Sequence, residues 1–125
     1  MIRRSKLAAL AFGRRAEFVA TLMLRLKGYA ILERRVKAGA GGRGEIDIVA
    51  RRGGVIAFVE VKARANLEHA ALALSQRQRE RLLRGAEAYL AARPRLAHLS
   101  PRFDAVLAAP GHWPRHVIDA WRDDL

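Results

Sequence analysis

The amino-acid sequence has 125 residues, no cysteine and a formal net charge of +12, from 24 Lys and Arg against 12 Asp and Glu. This length suits one compact domain, and the absence of cysteine excludes disulfides, thiolate zinc sites and a cysteine nucleophile. The positive charge favours a polyanion such as nucleic acid as a partner. An arginine-rich surface that serves only solubility is the alternative.

The N-terminal segment contains a short apolar stretch, from Leu7 to Phe12, behind a basic start. The stretch is too short for a signal peptide or a membrane span, and no cleavage site follows it. We therefore expect a cytoplasmic protein that does not enter a membrane, and residues 1–12 could form a flexible segment.

The first predicted elements are a helix, a strand and a glycine-rich loop. Apolar residues recur at helical spacing from Arg14 to Lys27, and Gly28 ends the run. The apolar stripe expected to face the core contains Phe18, Val19, Leu22, Met23 and Leu26. Residues 29–36 are a plausible strand, and the glycines of residues 37–44 predict a mobile loop.

Two strands follow and are joined by a tight turn. They are predicted over Glu45 to Arg51 and Val55 to Arg64, with Gly53 and Gly54 between them, which is typical of a β-hairpin. The second strand is apolar on both faces, so an interior position in the sheet is expected.

The C-terminal half predicts one further helix and one or two strands. After an ambiguous segment, Ser75 begins a helix that runs to about Arg93. A strand is predicted over Phe103 to Ala109, and residues 117–121 could form a last one. The order α-β-β-β-α-β-(β) predicts a single α/β domain over residues 1–125, with a mixed central sheet flanked by helices.

Charged residues interrupt the two hairpin strands, and the hairpin register brings three of them together. If the glycine pair is a two-residue turn, Arg52 lies opposite Val55, and Asp47 lies opposite Glu60. Lys62 lies two residues after Glu60 and therefore on the same face. A shift of one residue in the pairing would divide the three side chains between the two faces, so this prediction depends on the register.

The grouping of Asp47, Glu60 and Lys62 suits either a metal site or a buried ion pair. Two hard carboxylate ligands at this spacing favour Mg²⁺ or Mn²⁺ over zinc, and such a cation can activate a water against a phosphodiester. The lysine could position that water or neutralise charge on the phosphate. An ion pair between Lys62 and the acids is the alternative, but buried ion pairs stabilise proteins poorly.

The hairpin sequence also resembles that of a known family. Glu45 to Ala50 followed by Phe58 to Arg64 is similar to the signature of the YraN-like family of small bacterial proteins. That family resembles Holliday-junction resolvases and the wider restriction-endonuclease-like superfamily. The similarity covers nearly the whole chain, including residues 29–34, 102–106 and 118–121.

This resemblance implies a restriction-endonuclease-like fold and an Mg²⁺- or Mn²⁺-dependent endonuclease that acts on DNA, including branched DNA. It implies that Asp47, Glu60 and the backbone carbonyl of Val61 hold the metal, and that Lys62 is the catalytic lysine. Related resolvases act as dimers because a junction needs two symmetric cuts, so a homodimer is expected for such a substrate. Two alternatives stay open: a non-catalytic nucleic-acid-binding module with this fold, and a domain in which the charged residues only pair.

The resemblance also adds Glu17 of the first helix and Gln78 of the second helix to the catalytic residues. The residue pattern favours other roles for both. Glu17 lies away from the predicted buried stripe, which suits a solvated residue, and Gln78 is three residues after Ser75, which suits a capping box. Asp104 is expected to be structural, and the histidines, His116 among them, are expected at the surface.

Overall fold

A computed structural model describes residues 2–39, 41 and 44–121, and within them the chain forms a five-stranded sheet with helices on both faces. In chain order the elements are α1 (Ile2–Leu26), β1 (Ala30–Ala38), β2 (Gly44–Arg52), β3 (Val55–Ala63), α2 (Leu67–Leu72), α3 (Gln76–Ala91), β4 (Ser100–Ala108) and β5 (Arg115–Val117). A short 3₁₀ helix, Pro94–Leu96, precedes β4.

The strands lie side by side in the order β1-β2-β3-β4-β5. The pairs β1–β2, β2–β3 and β4–β5 are antiparallel, and β3–β4 is parallel. The parallel pair requires a crossover, which α2 and α3 provide. The predicted mixed sheet, the interior position of β3 and the flanking helices are therefore confirmed. Residues 40, 42 and 43 of the predicted mobile loop lie outside the described residues.

Helix α3 covers one face of the sheet. Its buried side chains Leu82, Ala86 and Tyr89 pack in one cluster with the cross-strand pair Val49 and Phe58. The predicted helix is confirmed, with Ser75 as its N-cap and with its last residue two positions before the predicted end.

Two glycines permit a close approach between α3 and β2. A Cβ atom added to Gly44 would lie 2.5 Å from the Cα atom of Gly85, which is closer than atoms can pack. The absence of side chains at both positions therefore allows α3 to sit directly on the start of β2.

Helix α1 covers the opposite face, but its inner side is rotated from the predicted stripe, of which only Met23 is buried. Phe18 and Leu26 are 61% and 71% exposed. The side chains that meet the sheet are Ala16, Ala20, Thr21, Met23 and Leu24. The prediction failed because apolar residues surround most of this helix, so their spacing is compatible with two different faces. Small alanines on the inner face let the helix approach the sheet.

The helix α1 also begins much earlier than Arg14, the predicted start. Its N-terminal part contains Ala8, Ala9, Leu10 and Ala11, which all have high helix propensity. Although α1 has 25 residues, no helix in the described part of the chain is long and apolar enough to cross a membrane.

The end of the sheet differs from the prediction as well. The last strand covers Arg115–Val117 rather than residues 117–121. Asp119 has a positive φ of 56°, a conformation that turns the chain out of an extended path. Its backbone N–H donates to the carboxylate of Asp104 at 2.9 Å, so this turn is fixed by a contact that sequence periodicity does not reveal.

Candidate active site

The register of the β2–β3 hairpin is the one predicted from its glycine pair. Arg52 pairs with Val55, and the pairing continues regularly to Ile48 and Val59. The ladder ends there, one pair before Asp47 and Glu60 would meet as strand partners. The predicted convergence of the three side chains is seen in the pocket that they line together, but the pair of Asp47 and Glu60 is not joined by the ladder.

Asp47 replaces the missing backbone partner with its own side chain. Its Oδ2 atom accepts a hydrogen bond from the backbone N–H of Val61 at 2.8 Å. This bond satisfies an amide beyond the end of the ladder and fixes the direction of the carboxylate. The acid is therefore held against β3 rather than free to turn into solvent.

Glu60 and Lys62 form the other half of the site. The Nζ atom of Lys62 lies 3.2 Å from Oε1 of Glu60, and the two side chains are only 11% and 9% exposed, respectively. Together with Asp47 they line one pocket of about 360 Å³ at the open end of the hairpin. The three predicted residues thus lie together, as the register required.

Asp47 and Glu60, the two acids predicted to hold a metal, are both difficult to ionise. Burial, reinforced by the negative charge of Glu60, raises the pKa of Asp47 to about 7, despite the hydrogen bond from Val61. Burial also raises the pKa of Glu60, although the ammonium of Lys62 opposes that change. Two nearby buried carboxylates lose this penalty when a cation binds between them.

Helix α1 brings Glu17 to the wall of the same pocket. Its Oε1 atom lies 3.2 Å from Nε of Arg35, and its charge contributes to the raised pKa of Asp47. The expectation of a solvated residue was wrong because it was judged against Phe18 and Leu22, which lie on the outer face of the helix.

Gln78 takes part in the helix cap through its backbone and in the pocket through its side chain. Its backbone N–H donates to the hydroxyl of Ser75 at 3.2 Å, which caps α3. Its side chain does not complete a capping box. With the amide oriented to suit its neighbours, the oxygen accepts from Nζ of Lys62 at 3.0 Å and the nitrogen donates to Glu60 at 3.3 Å. The side chain therefore belongs to the pocket.

The pocket also contains residues that sequence reasoning missed. Glu45 lies two positions before Asp47 on β2, and it forms an ion pair with Arg81 of α3. Both line the pocket, as does Phe12. The alternation of β2 could have identified Glu45, since residues two apart share a strand face, but nothing in the sequence paired it with Arg81.

Asp104 belongs to a separate buried cluster on the α1 face. Its carboxylate accepts hydrogen bonds from Arg102 at 2.8 and 2.7 Å and from His116 at 2.9 Å. Burial alone would raise the pKa of Asp104, but the bonds from His116, Arg102 and the Asp119 amide outweigh it and lower the pKa to about 2. Asp104 is structural in this fold, whereas His116, with a side chain 1% exposed, is not the surface residue that was expected.

The donor set of the pocket fits a hydrated hard cation. Asp47 and Glu60 supply carboxylate oxygens, the ligand type of Mg²⁺ and Mn²⁺. Among the described residues, no group of three or more His, Cys, Asp and Glu side chains is placed to hold a metal. Mg²⁺ keeps several waters and needs only one or two carboxylates, so Asp47 and Glu60 would be enough to hold it.

Most of the sequence matches a known protein family. Residues 16–108 match the model of a family described as Uncharacterised protein family UPF0102. The chain belongs to this family. UPF0102 is the YraN family, so the resemblance inferred from the hairpin is confirmed, and membership of the restriction-endonuclease-like superfamily is consistent with it.

Several UPF0102 proteins are similar over nearly their full length. The UPF0102 protein amb4503 of Paramagnetospirillum magneticum is 54% identical over 122 residues, which are 97% of this chain and 95% of the relative. A UPF0102 protein of Parvibaculum lavamentivorans is 53% identical, covering 93% and 85% of the two chains. One of Methylocella silvestris is 50% identical, covering 90% and 89%. The segment that matches the UPF0102 model contains every pocket residue from Glu17 to Arg81.

Proposed function

We propose that this UPF0102 protein is a cytoplasmic Mg²⁺- or Mn²⁺-dependent endonuclease that hydrolyses phosphodiester bonds in DNA, branched DNA included. The strongest support is that the Asp47 carboxylate has no ion-pair partner among the described residues, unlike the other acids of the pocket. Each of the other three acids is in an ion pair: Glu17 with Arg35, Glu45 with Arg81, and Glu60 with Lys62. Among the described residues, the Asp47 carboxylate has only the Val61 amide as a hydrogen-bond partner.

This imbalance favours a metal site over a set of ion pairs. A purely structural network would give each buried acid a cation, because an uncompensated buried charge destabilises the fold. Asp47 instead lies beside Glu60 with a raised pKa. A divalent cation bound between these two acids supplies the missing positive charge.

The residues of the pocket would divide the work of hydrolysis. Asp47, Glu60 and the backbone carbonyl of Val61 would hold the cation, which when bound polarises a phosphoryl oxygen and acidifies a water. Lys62 would donate hydrogen bonds to the phosphate or to the attacking water, where it offsets negative charge as the bond breaks. Gln78 accepts from the Lys62 ammonium at 3.0 Å and so would fix the direction of that donor.

The alternative function is a nucleic-acid-binding module without turnover. The net charge of +12 supports this alternative as well as it supports the enzyme, because counterion release favours any nucleic acid. A homodimer is part of the enzyme proposal for a branched substrate, since two symmetric cuts need two pockets.

The test is a cleavage and binding assay with branched, duplex and single-stranded DNA and with RNA, each with and without Mg²⁺ or Mn²⁺. The wild type is compared with Asp47→Ala and Glu60→Ala, and with Glu87→Ala as control, because Glu87 is an exposed acid of α3 outside the pocket. Metal-dependent cleavage that falls by about 100-fold or more in the two pocket variants, but not in the control, supports the enzyme. Binding without cleavage in all four proteins supports the module, and the absence of both contradicts both functions.

A further inference from the structure

One exposed side of α3 carries arginines at positions 77, 81 and 84, which we call the α3 arginine face. The spacing of four and then three residues places them on one side of the helix, over a length of about 10 Å. With Gln78 they line a shallow groove of about 530 Å³. The groove is therefore bordered by three guanidinium groups.

Most of the charge on this face is uncompensated. Arg77 and Arg84 are exposed, and neither contacts an acidic side chain in the part of the chain that the structure describes. Arg81 is paired with Glu45 but stays 39% exposed. Glu80 and Glu87 lie next to the face on the solvent side of the helix and form no ion pair with it among the described residues. The groove thus presents a positive surface to solvent.

The α3 arginine face is continuous with the candidate active site. Gln78 and Arg81 line both the groove and the pocket that contains Asp47 and Glu60. If one phosphate of a nucleic-acid strand lies in the pocket, the neighbouring phosphates of that strand would therefore lie along the groove. A solvated surface that serves only solubility would not require such continuity.

We propose that the α3 arginine face binds the sugar–phosphate backbone of the same nucleic-acid strand that is cut in the pocket, which deepens and rests on the proposed function. Arginine suits this role because its planar fork donates two parallel hydrogen bonds to one phosphate. Phosphates of one strand advance by about 3.4 Å along a duplex axis, so a face about 10 Å long covers roughly three nucleotides. The strand therefore extends about three nucleotides from the scissile bond along α3.

The test measures binding of a labelled duplex DNA without divalent metal, so that cleavage does not enter. The double variant Arg77→Gln with Arg84→Gln is compared with Arg25→Gln with Arg95→Gln. The control pair is exposed, lies on other elements and lines none of the pockets around the site. Both variants lose two positive charges, and neither removes a buried group, so both should fold.

For the face variant, we expect the negative slope of log affinity against log salt to become about 2 less steep, with about 10-fold weaker binding at moderate salt. For the control variant, we expect little change in either quantity. Equal losses in the two variants, no loss in either, or no binding by the wild type would overturn the proposal. A cleavage assay on the same proteins distinguishes failure of this proposal from failure of the proposed endonuclease function. Face-dependent binding by a wild type that never cleaves supports the face and contradicts the enzyme, whereas cleavage with equal binding by both variants contradicts the face alone.

Discussion

The Asp47 carboxylate accepts a hydrogen bond from the Val61 amide at 2.8 Å, just past the last regular pair of the β2–β3 ladder. The bond joins the two strands where backbone pairing has stopped, and it points the carboxylate toward Glu60. Because burial and the charge of Glu60 raise its pKa to about 7, the ionised acid is held there at a cost in folding free energy. The structure keeps an unfavourable charge in place, as expected of a site prepared for a cation.

The pH dependence of stability should reveal this cost through Asp47→Asn. The pKa of Asp47 is higher in the folded chain, about 7, than its ordinary value of 3.8. The unfolded chain therefore loses the proton first, and the free energy of unfolding falls between these two pH values and then levels off. The amide can still accept from Val61 but does not ionise. We expect the variant to be more stable than the wild type by about 4 kcal/mol near pH 8 and nearly equal to it near pH 4, measured by urea unfolding without metal. Parallel curves for the two proteins would contradict the raised pKa.

Divalent metal should raise the stability of the wild type in a pH-dependent way. A ligand that binds only the folded state at about ten times its Kd adds about 1.4 kcal/mol, which corresponds to a Tm increase of several degrees. We expect this increase with Mg²⁺ or Mn²⁺ near pH 8, and a smaller one near pH 6, where Asp47 keeps its proton. Glu60→Gln and Asp47→Asn should abolish the increase, and Glu87→Gln should retain it. An equal increase in all four proteins would show that the cation binds elsewhere.

Substitutions of Gln78 and Ser75 should distinguish the contribution of the start of α3 to the pocket from its contribution to the helix cap. Gln78→Ala keeps the backbone bond to Ser75 but removes the contacts with Glu60 and Lys62. We expect unchanged or slightly higher stability, because alanine favours helices, and about 10-fold weaker metal affinity in a thermal titration. Ser75→Ala should lower stability by about 1 kcal/mol and leave metal affinity unchanged. The opposite pattern would assign Gln78 to the cap alone.

The hairpin could be predicted from sequence because its geometry is local. A two-residue glycine turn fixes the register, and this register brings Asp47 of β2 to the part of β3 that carries Glu60 and Lys62. The prediction could not show that Asp47 would bond to Val61, because a side-chain bond past the last regular pair leaves no signal in the residue pattern.

Contacts between separate elements could not be predicted from the sequence. Helical periodicity states which residues lie on one side of a helix, but not which side meets the sheet. The alanines that approach the sheet made the inner face of α1 inconspicuous, so the helical pattern favoured a solvated position for Glu17 over the site that the resemblance implied. The same difficulty applies to His116, whose partner Asp104 lies on another strand. Each of these contacts depends on how separate elements pack.

The close contact of Gly44 with Gly85 should be sensitive to a single methyl group. A Cβ on Gly44 would lie 2.5 Å from the backbone of Gly85 and 2.6 Å from the carbonyl oxygen of Ala38, and backbone atoms on both sides cannot yield easily. We expect Gly44→Ala to destabilise the fold by about 2–3 kcal/mol and to weaken metal binding, because α3 carries Gln78 and Arg81 into the pocket.

Gly13→Ala is the matched control for that substitution. Gly13 lies within α1, and a Cβ there would meet nothing within 4 Å. Alanine should therefore stabilise the helix by up to about 1 kcal/mol, seen as a higher urea midpoint. A Gly44→Ala protein as stable as the wild type would show that α3 can move away from β2 without cost.

Asp104 should matter for folding but not for the pocket. Hydrogen bonds from His116, Arg102 and the Asp119 amide lower its pKa to about 2, below the ordinary value of 3.8. The stability that this charge contributes is therefore fully present above about pH 4 and is lost as the pH falls toward 2. Asp104→Asn should lower the free energy of unfolding near pH 7 by about 3 kcal/mol, because it leaves the partly buried guanidinium of Arg102 without its counter-ion. If enough folded protein remains, its metal-induced Tm increase near pH 8 should equal that of the wild type. A lost increase in a folded Asp104→Asn protein would instead connect this cluster to the pocket that Asp47 and Glu60 line.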